Sequence, residues 1–145
     1  MEESNRREPV IEFRNDKELN EMIKWWKRKL FLNHWFLAGT LVDADEMDDK
    51  CGHIDFCTQN MTGYIKISKN DEKIYADNMI KYCAEEILVH EILHVKYNLL
   101  QPDRSLYESV YTDICQHQLL EQMARSLICV KYGLDPSWFY NKECL

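Results

Sequence analysis

The segment from Ile80 to Leu100 constrains the fold more than any other part of the chain. It contains neither Gly nor Pro, and its apolar residues recur at helical spacing. Four of them, spaced i, i+4, i+7 and i+11, predict one buried face of a helix. These four are Leu88, Ile92, Val95 and Leu99. Such a helix packs one side against the body of the protein, and the residues of its other side can serve a functional site.

The other side carries an H-E-x-x-H motif, which reads His90-Glu91-Ile92-Leu93-His94. Residues four apart on a helix lie on one face, so His90 and His94 can point two imidazoles at one metal ion. Glu91 lies about 100° further round the helix, where it can take a proton from a water on the metal without being a ligand. The motif therefore predicts a Zn²⁺ site with Glu91 as the general base.

A catalytic zinc ion usually has three protein ligands and one open position. The last long helix offers Asp113, His117 and Glu121, spaced i, i+4 and i+8. We expect Glu121 to be the third ligand, because an ionised Glu on an apolar helix face is costly unless a metal ion offsets it. The small Ala124, about one turn further on, would let the two helices approach closely. His117 is the alternative, either as the third ligand or as a catalytic group that hydrogen-bonds the substrate or the water. Glu108 and Asp113 are the remaining alternatives.

The rest of the pattern predicts a single α+β domain over residues 1–145, with about residues 1–8 disordered. Asn15 resembles a helix cap, with Glu18 three residues later. The tail from Ser137 to Leu145 is expected to fold back onto the body. The predicted elements are a helix at Asp16–Leu32, strands at Trp35–Val42, His53–Thr58 and Gly63–Ser68, the motif helix from its cap Asp77 to Leu100, and a helix at Arg104–Tyr132 before Gly133.

The third strand, Gly63–Ser68, alternates between two faces. Tyr64, Lys66 and Ser68 share one face, and Ile65 and Ile67 share the other. Such alternation is typical of a half-buried strand, and we interpret it as an edge strand. An edge strand just before the motif helix could align a peptide by adding it to the sheet, or it could be an ordinary structural edge without that role.

Charge and composition exclude several classes of partner. The net charge of −7 argues against a nucleic-acid groove or an anionic membrane surface. No apolar run reaches the length of a membrane span, and the charged start, Met1 to Arg14, is unlike a signal peptide. We therefore expect a cytoplasmic protein with six free cysteines. Cys51 and Cys57, with His53 between them, are spaced too widely for a zinc knuckle.

These residues together resemble the compact zincin metallopeptidases. The resemblance is to the Glu-ligand group (gluzincins), and within it to small zincin-like proteins of phages and mobile elements related to anti-repressor proteases. It covers about Trp35 to Val130. It rests on His90-Glu91-x-x-His94 and on a second helix with Glu121-x-x-Ala124-x-x-Leu127. The resemblance implies a minimal zincin fold, zinc, a peptide or protein substrate, and Glu121 as the third metal ligand.

The chain also departs from these relatives. We expect neither a helix-turn-helix domain nor a C-terminal sensor domain in it. The SprT-like proteases use a third His, a role that His117 could fill. The leading expectation is a zinc metallopeptidase. Its rivals are a non-catalytic, zinc-stabilised interaction module of phage or mobile-element origin and a metal hydrolase with a non-peptide substrate. The oligomeric state does not follow from the sequence.

Overall fold

A computed structural model of the chain describes residues 7–48, 50–69, 80–98 and 110–140, with residues 110–113 described by their backbone only. The fold is α+β, and the predicted order of one helix, three strands and two helices is confirmed. Predictions for residues 1–6, for Asp77, for 99–109 and for 141–145 lie outside the described residues. The elements are α1 (Asp16–Lys29), β1 (Phe36–Val42), β2 (Gly52–Cys57), β3 (Thr62–Ser68), α2 (Ala84–Asn98) and α3 (Val110–Tyr132), with short 3₁₀ turns at Ala44–Met47 and Pro136–Phe139.

Helix α1 begins where the sequence predicts. The side chain of Asn15 accepts a hydrogen bond from the backbone N–H of Glu18 at 2.9 Å, which satisfies one of the free donors at the helix start. The helix ends three residues before the predicted Leu32, since Phe31 adopts a left-handed conformation with φ 59°. Helical spacing predicts a buried stripe of Leu19, Met22, Ile23, Trp26 and Leu30. The first four are buried, whereas Leu30 follows the end of the helix and is only partly buried.

The sheet has the order β1-β3-β2, so β3 is the central strand. It runs parallel to β1 and antiparallel to β2. The prediction that Gly63–Ser68 is an edge strand was therefore wrong, and a peptide cannot add along it. The alternation has another cause: Ile65 and Ile67 are buried, whereas Tyr64 and Lys66 lie on an exposed face. Alternation reports that one face of a strand is covered, whether or not the strand has two neighbours.

The two outer edges of the sheet differ. Side chains of α1 cover the edge of β1: Asn20 both donates to the carbonyl of Gly39 at 2.8 Å and accepts from its N–H at 2.9 Å. Asp16 accepts from the N–H of Leu41 at 2.9 Å. The outer edge of β2 pairs with no other strand in the described part of the chain. Only one edge is thus available for a further strand within that part.

Helix α2 lies between the sheet and α3, and the predicted buried face is confirmed for Leu88, Ile92 and Val95. The helix starts at Ala84, later than predicted, because the residues before it pair with the tail. Ile80 forms a β-bridge with Tyr140, and the N–H of Lys81 donates to the carbonyl of Phe139 at 2.8 Å. This pairing confirms that residues 137–140 fold back onto the body.

A buried ion pair joins α2 to the far end of α3. Glu85 is fully buried and pairs with Lys131 at 2.6 Å. The carboxylate also accepts hydrogen bonds from Tyr132, from Trp26 and from the backbone N–H of Val10. Helix α3 ends at Tyr132, one residue after Lys131. Gly133 then takes the left-handed conformation (φ 64°) expected of a residue that follows a helix. The carboxylate thus connects the N-terminal segment and all three helices.

The described cysteines, namely Cys51, Cys57, Cys83, Cys115 and Cys129, are all free thiols, as expected. Burial raises the pKa of Cys83 to about 12, so this thiol stays protonated and packs as a small apolar group. None of the described helices is long and apolar enough to cross a membrane.

Candidate metal centre

Three histidines meet between α2 and α3. The helical spacing of the motif puts His90 and His94 on one face of α2, and α3 brings His117 to them. One ring nitrogen of each lies within 4.8 Å of the others, and Nδ1 of His117 is 3.4 Å from Nε2 of His90. Three imidazoles at this separation can hold a metal ion of the zinc type. Among the described residues this is the one group of three or more potential ligands that are so close together.

The His rings are oriented by their neighbours. The rings of His90 and His117 stack, with centroids 5.5 Å apart and planes 16° apart. The side-chain amide of Gln116, which is buried, lies 3.5 Å from Nδ1 of His94. This contact links α3 to the ring of His94 and restricts the orientation of that ring.

Glu91 lies beside the cluster and is almost buried. Its Oε2 is 4.0 Å from Nε2 of His94. Burial raises the pKa of Glu91 to about 8. The positive charge of Lys50 opposes this rise, and the negative charge of Glu86 adds to it. Burial also lowers the pKa of His90 to about 4, and the nearby His117 and Arg125 lower it further, so this imidazole is neutral at pH 7. Without a metal ion, the site therefore combines a neutral imidazole with a carboxyl group that holds its proton at pH 7, and a bound cation would favour the ionised carboxylate.

The start of β2 forms one wall of the site. A Cβ on Gly52 would stand 2.6 Å from Cγ2 of Ile87 and 3.1 Å from Oε1 of Glu91. Only a residue without a side chain lets the strand approach α2 this closely. Gly52 therefore brings the backbone of β2 against the carboxyl group of Glu91.

The three histidines and Glu91 line a cavity of about 760 Å³. Its walls come from β2 and its preceding residues, from the segment before α2, and from the facing sides of α2 and α3. This volume falls within the range of small-molecule sites. Besides the histidines, its lining includes Lys50, Gly52, Phe56, Tyr82, Ile87, Glu91 and Arg125.

Glu121, the expected third ligand, lines the same cavity but does not belong to the close group of ligand atoms. Its carboxylate lies 3.4 Å from Nη2 of Arg125, and its side chain is 45% exposed. The structure thus brings the alternative, His117, to the two histidines of the motif. Glu108 and the side chain of Asp113 lie outside the described residues.

Arg125 also reaches across to α2, where its Nε is 3.6 Å from Oε1 of Glu86. Burial raises the pKa of Glu86 to about 7, and this rise is opposed by Arg125 and reinforced by Glu121.

The sequence analysis did not identify Gln116, Arg125 or Gly52. The sequence did hold a signal for two of them. Gln116 directly precedes His117, and Arg125 follows Glu121 by one helical turn, so both could have been expected near the site. Cys51, Cys57 and His53 form no close ligand group, although Cys51 and His53 line the cavity.

Comparisons of the chain with protein-family models, with curated proteins and with solved structures return no match. The resemblance to zincins therefore stays a prediction that rests on the motif and on the residues around it.

Proposed function

We propose that this chain is a zinc-dependent metallopeptidase in which His90, His94 and His117 bind the metal and Glu91 is the general base. The observation that carries the proposal is the position of Glu91. It lies within 4.0 Å of a candidate ligand and lines the same cavity as all three histidines. A metal site that serves stability alone has no need of a buried carboxyl group beside an accessible cavity.

His90, His94 and His117 would hold the zinc ion, which would supply a bound water of lowered pKa and polarise a substrate carbonyl. The chain's own residues do the rest. The Glu91 carboxylate would accept a proton from this water at Oε1 or Oε2 and later give it to the leaving amine. Gln116 keeps the ring of His94 in place. Gly52 and Ile87 close the space behind Glu91, which limits the positions that its carboxyl group can take.

A peptide is the substrate class that the walls of the cavity favour. Strand β2 contributes to the cavity, and its outer edge pairs with no other strand within the described residues. An extended peptide can add to such an edge through main-chain hydrogen bonds, which would lay its carbonyl groups along the cavity. This corrects the expectation that assigned the same task to Gly63–Ser68.

The second candidate is a zinc-stabilised interaction module without catalysis. One observation favours it: Glu121 lies one helical turn after His117 and lines the same cavity. If its carboxylate became a fourth ligand, the site would be closed like a structural zinc site.

The test measures zinc content and peptide cleavage in wild type and in three variants. We expect about one zinc ion per chain in wild type, and cleavage of a quenched fluorescent peptide library. Glu91→Gln should retain the zinc and lose cleavage. His117→Ala should lose the zinc, and Glu121→Gln should retain it. A wild-type protein that takes up no zinc, or a Glu91→Gln variant that cleaves as fast as wild type, would contradict the proposal. Retained zinc with no cleavage of any peptide would support the interaction module.

A further inference from the structure

A cluster of three charged side chains lies directly beside the histidines. Glu86 comes one helical turn before His90 on α2, and Glu121 comes one turn after His117 on α3. Arg125, one further turn along α3, lies between the two carboxyl groups, at 3.6 Å from Glu86 and 3.4 Å from Glu121. All three line the cavity that contains the histidines. The cluster thus forms a second layer against the candidate metal site.

Arg125 is held from both helices. Its side chain is only 23% exposed, and its Nε is buried without a hydrogen-bond acceptor among the described residues. Both carboxylates lie at the long end of ion-pair distances, so neither forms a short bidentate pair with the guanidinium. Glu86 is itself almost buried and anchors the guanidinium on α2. The Nη2 group of Arg125 donates to Oε2 of Glu121, on the same helix, at 3.4 Å.

The position of the Glu121 carboxylate decides what kind of metal site this is. With three histidines as ligands, a zinc ion keeps one position open for water or substrate. A carboxylate one turn from His117 is a candidate for that position, and a fourth protein ligand would exclude the water. Nearly half of the Glu121 side chain is exposed, so its path is not blocked by packing. Among the described residues, the contact at the charged end of Glu121 is the one with Arg125, at 3.4 Å.

We propose that Arg125 is a positioning residue that holds the Glu121 carboxylate away from the metal and so keeps one coordination position open. This inference rests on the proposed metal site. Loss of Arg125 frees Glu121 to occupy the open position, which converts a catalytic type of site into a closed one. Glu86 acts with Arg125 by fixing the guanidinium on the opposite helix.

The test uses cobalt(II) in place of zinc, because its visible spectrum reports changes in its ligands, and azide as a probe that needs an open position. In the wild-type cobalt protein, azide should change the spectrum in a saturable way. Arg125→Gln should alter the spectrum before azide is added and should reduce the response to azide at least tenfold in apparent affinity. The double variant Arg125→Gln/Glu121→Gln should restore the wild-type response, since the competing carboxylate is gone. A merely structural role for Arg125 predicts no such rescue.

Two single variants serve as matched controls. Glu121→Gln alone should bind cobalt and respond to azide like wild type, because its carboxylate is already off the metal. Arg125→Lys, which keeps the charge, should lie between wild type and Arg125→Gln and serves if the Gln variant does not fold. An azide response in Arg125→Gln equal to that of wild type would overturn the inference and leave the proposed peptidase intact. Loss of cobalt binding in Glu121→Gln would also overturn it, by making Glu121 a ligand. A wild-type protein that binds no cobalt would refute the metal site itself.

Discussion

Gly52 lies opposite Glu91 across the gap between the sheet and the motif helix, and any side chain at Gly52 would meet the Glu91 carboxyl group. No side chain separates the strand from the carboxyl group, and a Cβ on Gly52 would lie 3.1 Å from Oε1 of Glu91. The same Cβ would be 2.6 Å from Cγ2 of Ile87, a short branched side chain that cannot swing away without a shift of its helix. This contact leads to the first prediction.

Gly52→Ala should lower both stability and peptide cleavage. Overpacking of this kind costs about 1–3 kcal/mol in free energy of unfolding, and the displaced Glu91 should lower kcat more than it lowers zinc affinity. Gly133→Ala is the control. Gly133 has φ 64° and nothing within 4 Å of an added Cβ, so its substitution costs about 1 kcal/mol through backbone strain alone. If the two variants lose cleavage only in proportion to stability, the contact with Glu91 has no catalytic importance.

Lys131→Met should destabilise the protein strongly, because it leaves the buried carboxylate of Glu85 without its cation. Removal of one partner of a buried ion pair costs about 3–5 kcal/mol, which urea unfolding can measure. Lys17→Met removes the same charge from an exposed position of α1 and should change stability by less than about 0.5 kcal/mol. Equal midpoints for these two variants would show that the ion pair contributes nothing.

Glu86→Gln should stabilise the metal-free protein at pH 8 and have little effect at pH 4. Because burial raises the pKa of Glu86 to about 7 in the folded protein, from 4.5 in the reference state, the folded state binds the proton more tightly. The carboxyl group therefore costs nothing below the lower pKa, and its cost grows as the pH rises towards the higher one. The full cost is at most about 3 kcal/mol, and Arg125 and Glu121 are the charged groups that face it. Unfolding curves of both proteins across this pH range, in the presence of a chelator, give the difference; a gain that is equal at pH 4 and pH 8 would contradict the titration.

Zinc should stabilise the folded chain, and a chelator should remove that stabilisation. At free zinc 100-fold above the dissociation constant, the gain is about 2.7 kcal/mol. His117→Ala should abolish the difference between zinc and chelator. His34→Ala replaces an exposed histidine outside the cluster and should keep the difference. If His34→Ala also abolishes it, zinc is binding somewhere other than at the three histidines.

Local features of the fold followed from the sequence. The side-by-side position of His90 and His94 is fixed by helix geometry within four residues, and the buried face with Leu88 and Ile92 follows from the same period. The cap at Asn15 also depends only on neighbours in sequence. Such features need no knowledge of which elements meet in space.

Features that depend on how two elements meet did not follow. His117 and Glu121 share one side of α3, so a slide of one helical turn, about 5.4 Å, decides which of them reaches the motif. That slide is set by packing along the whole of α2 and α3, including the ion pair of Glu85 with Lys131 at their far end. The central place of β3 was missed for a related reason, because alternation along a strand reports its faces and not its neighbours.

The unequal edges of the sheet limit how copies of this chain can associate. Asn20 and Asp16 already occupy backbone groups of β1, so a strand can join the described sheet only at β2. If two copies paired through their β2 strands, both remaining edges of the joined sheet would be covered by α1, and growth would stop there. Polymerisation by strand pairing is therefore blocked in the described fold, and a pair formed in this way would fill the edge that the proposed peptide needs.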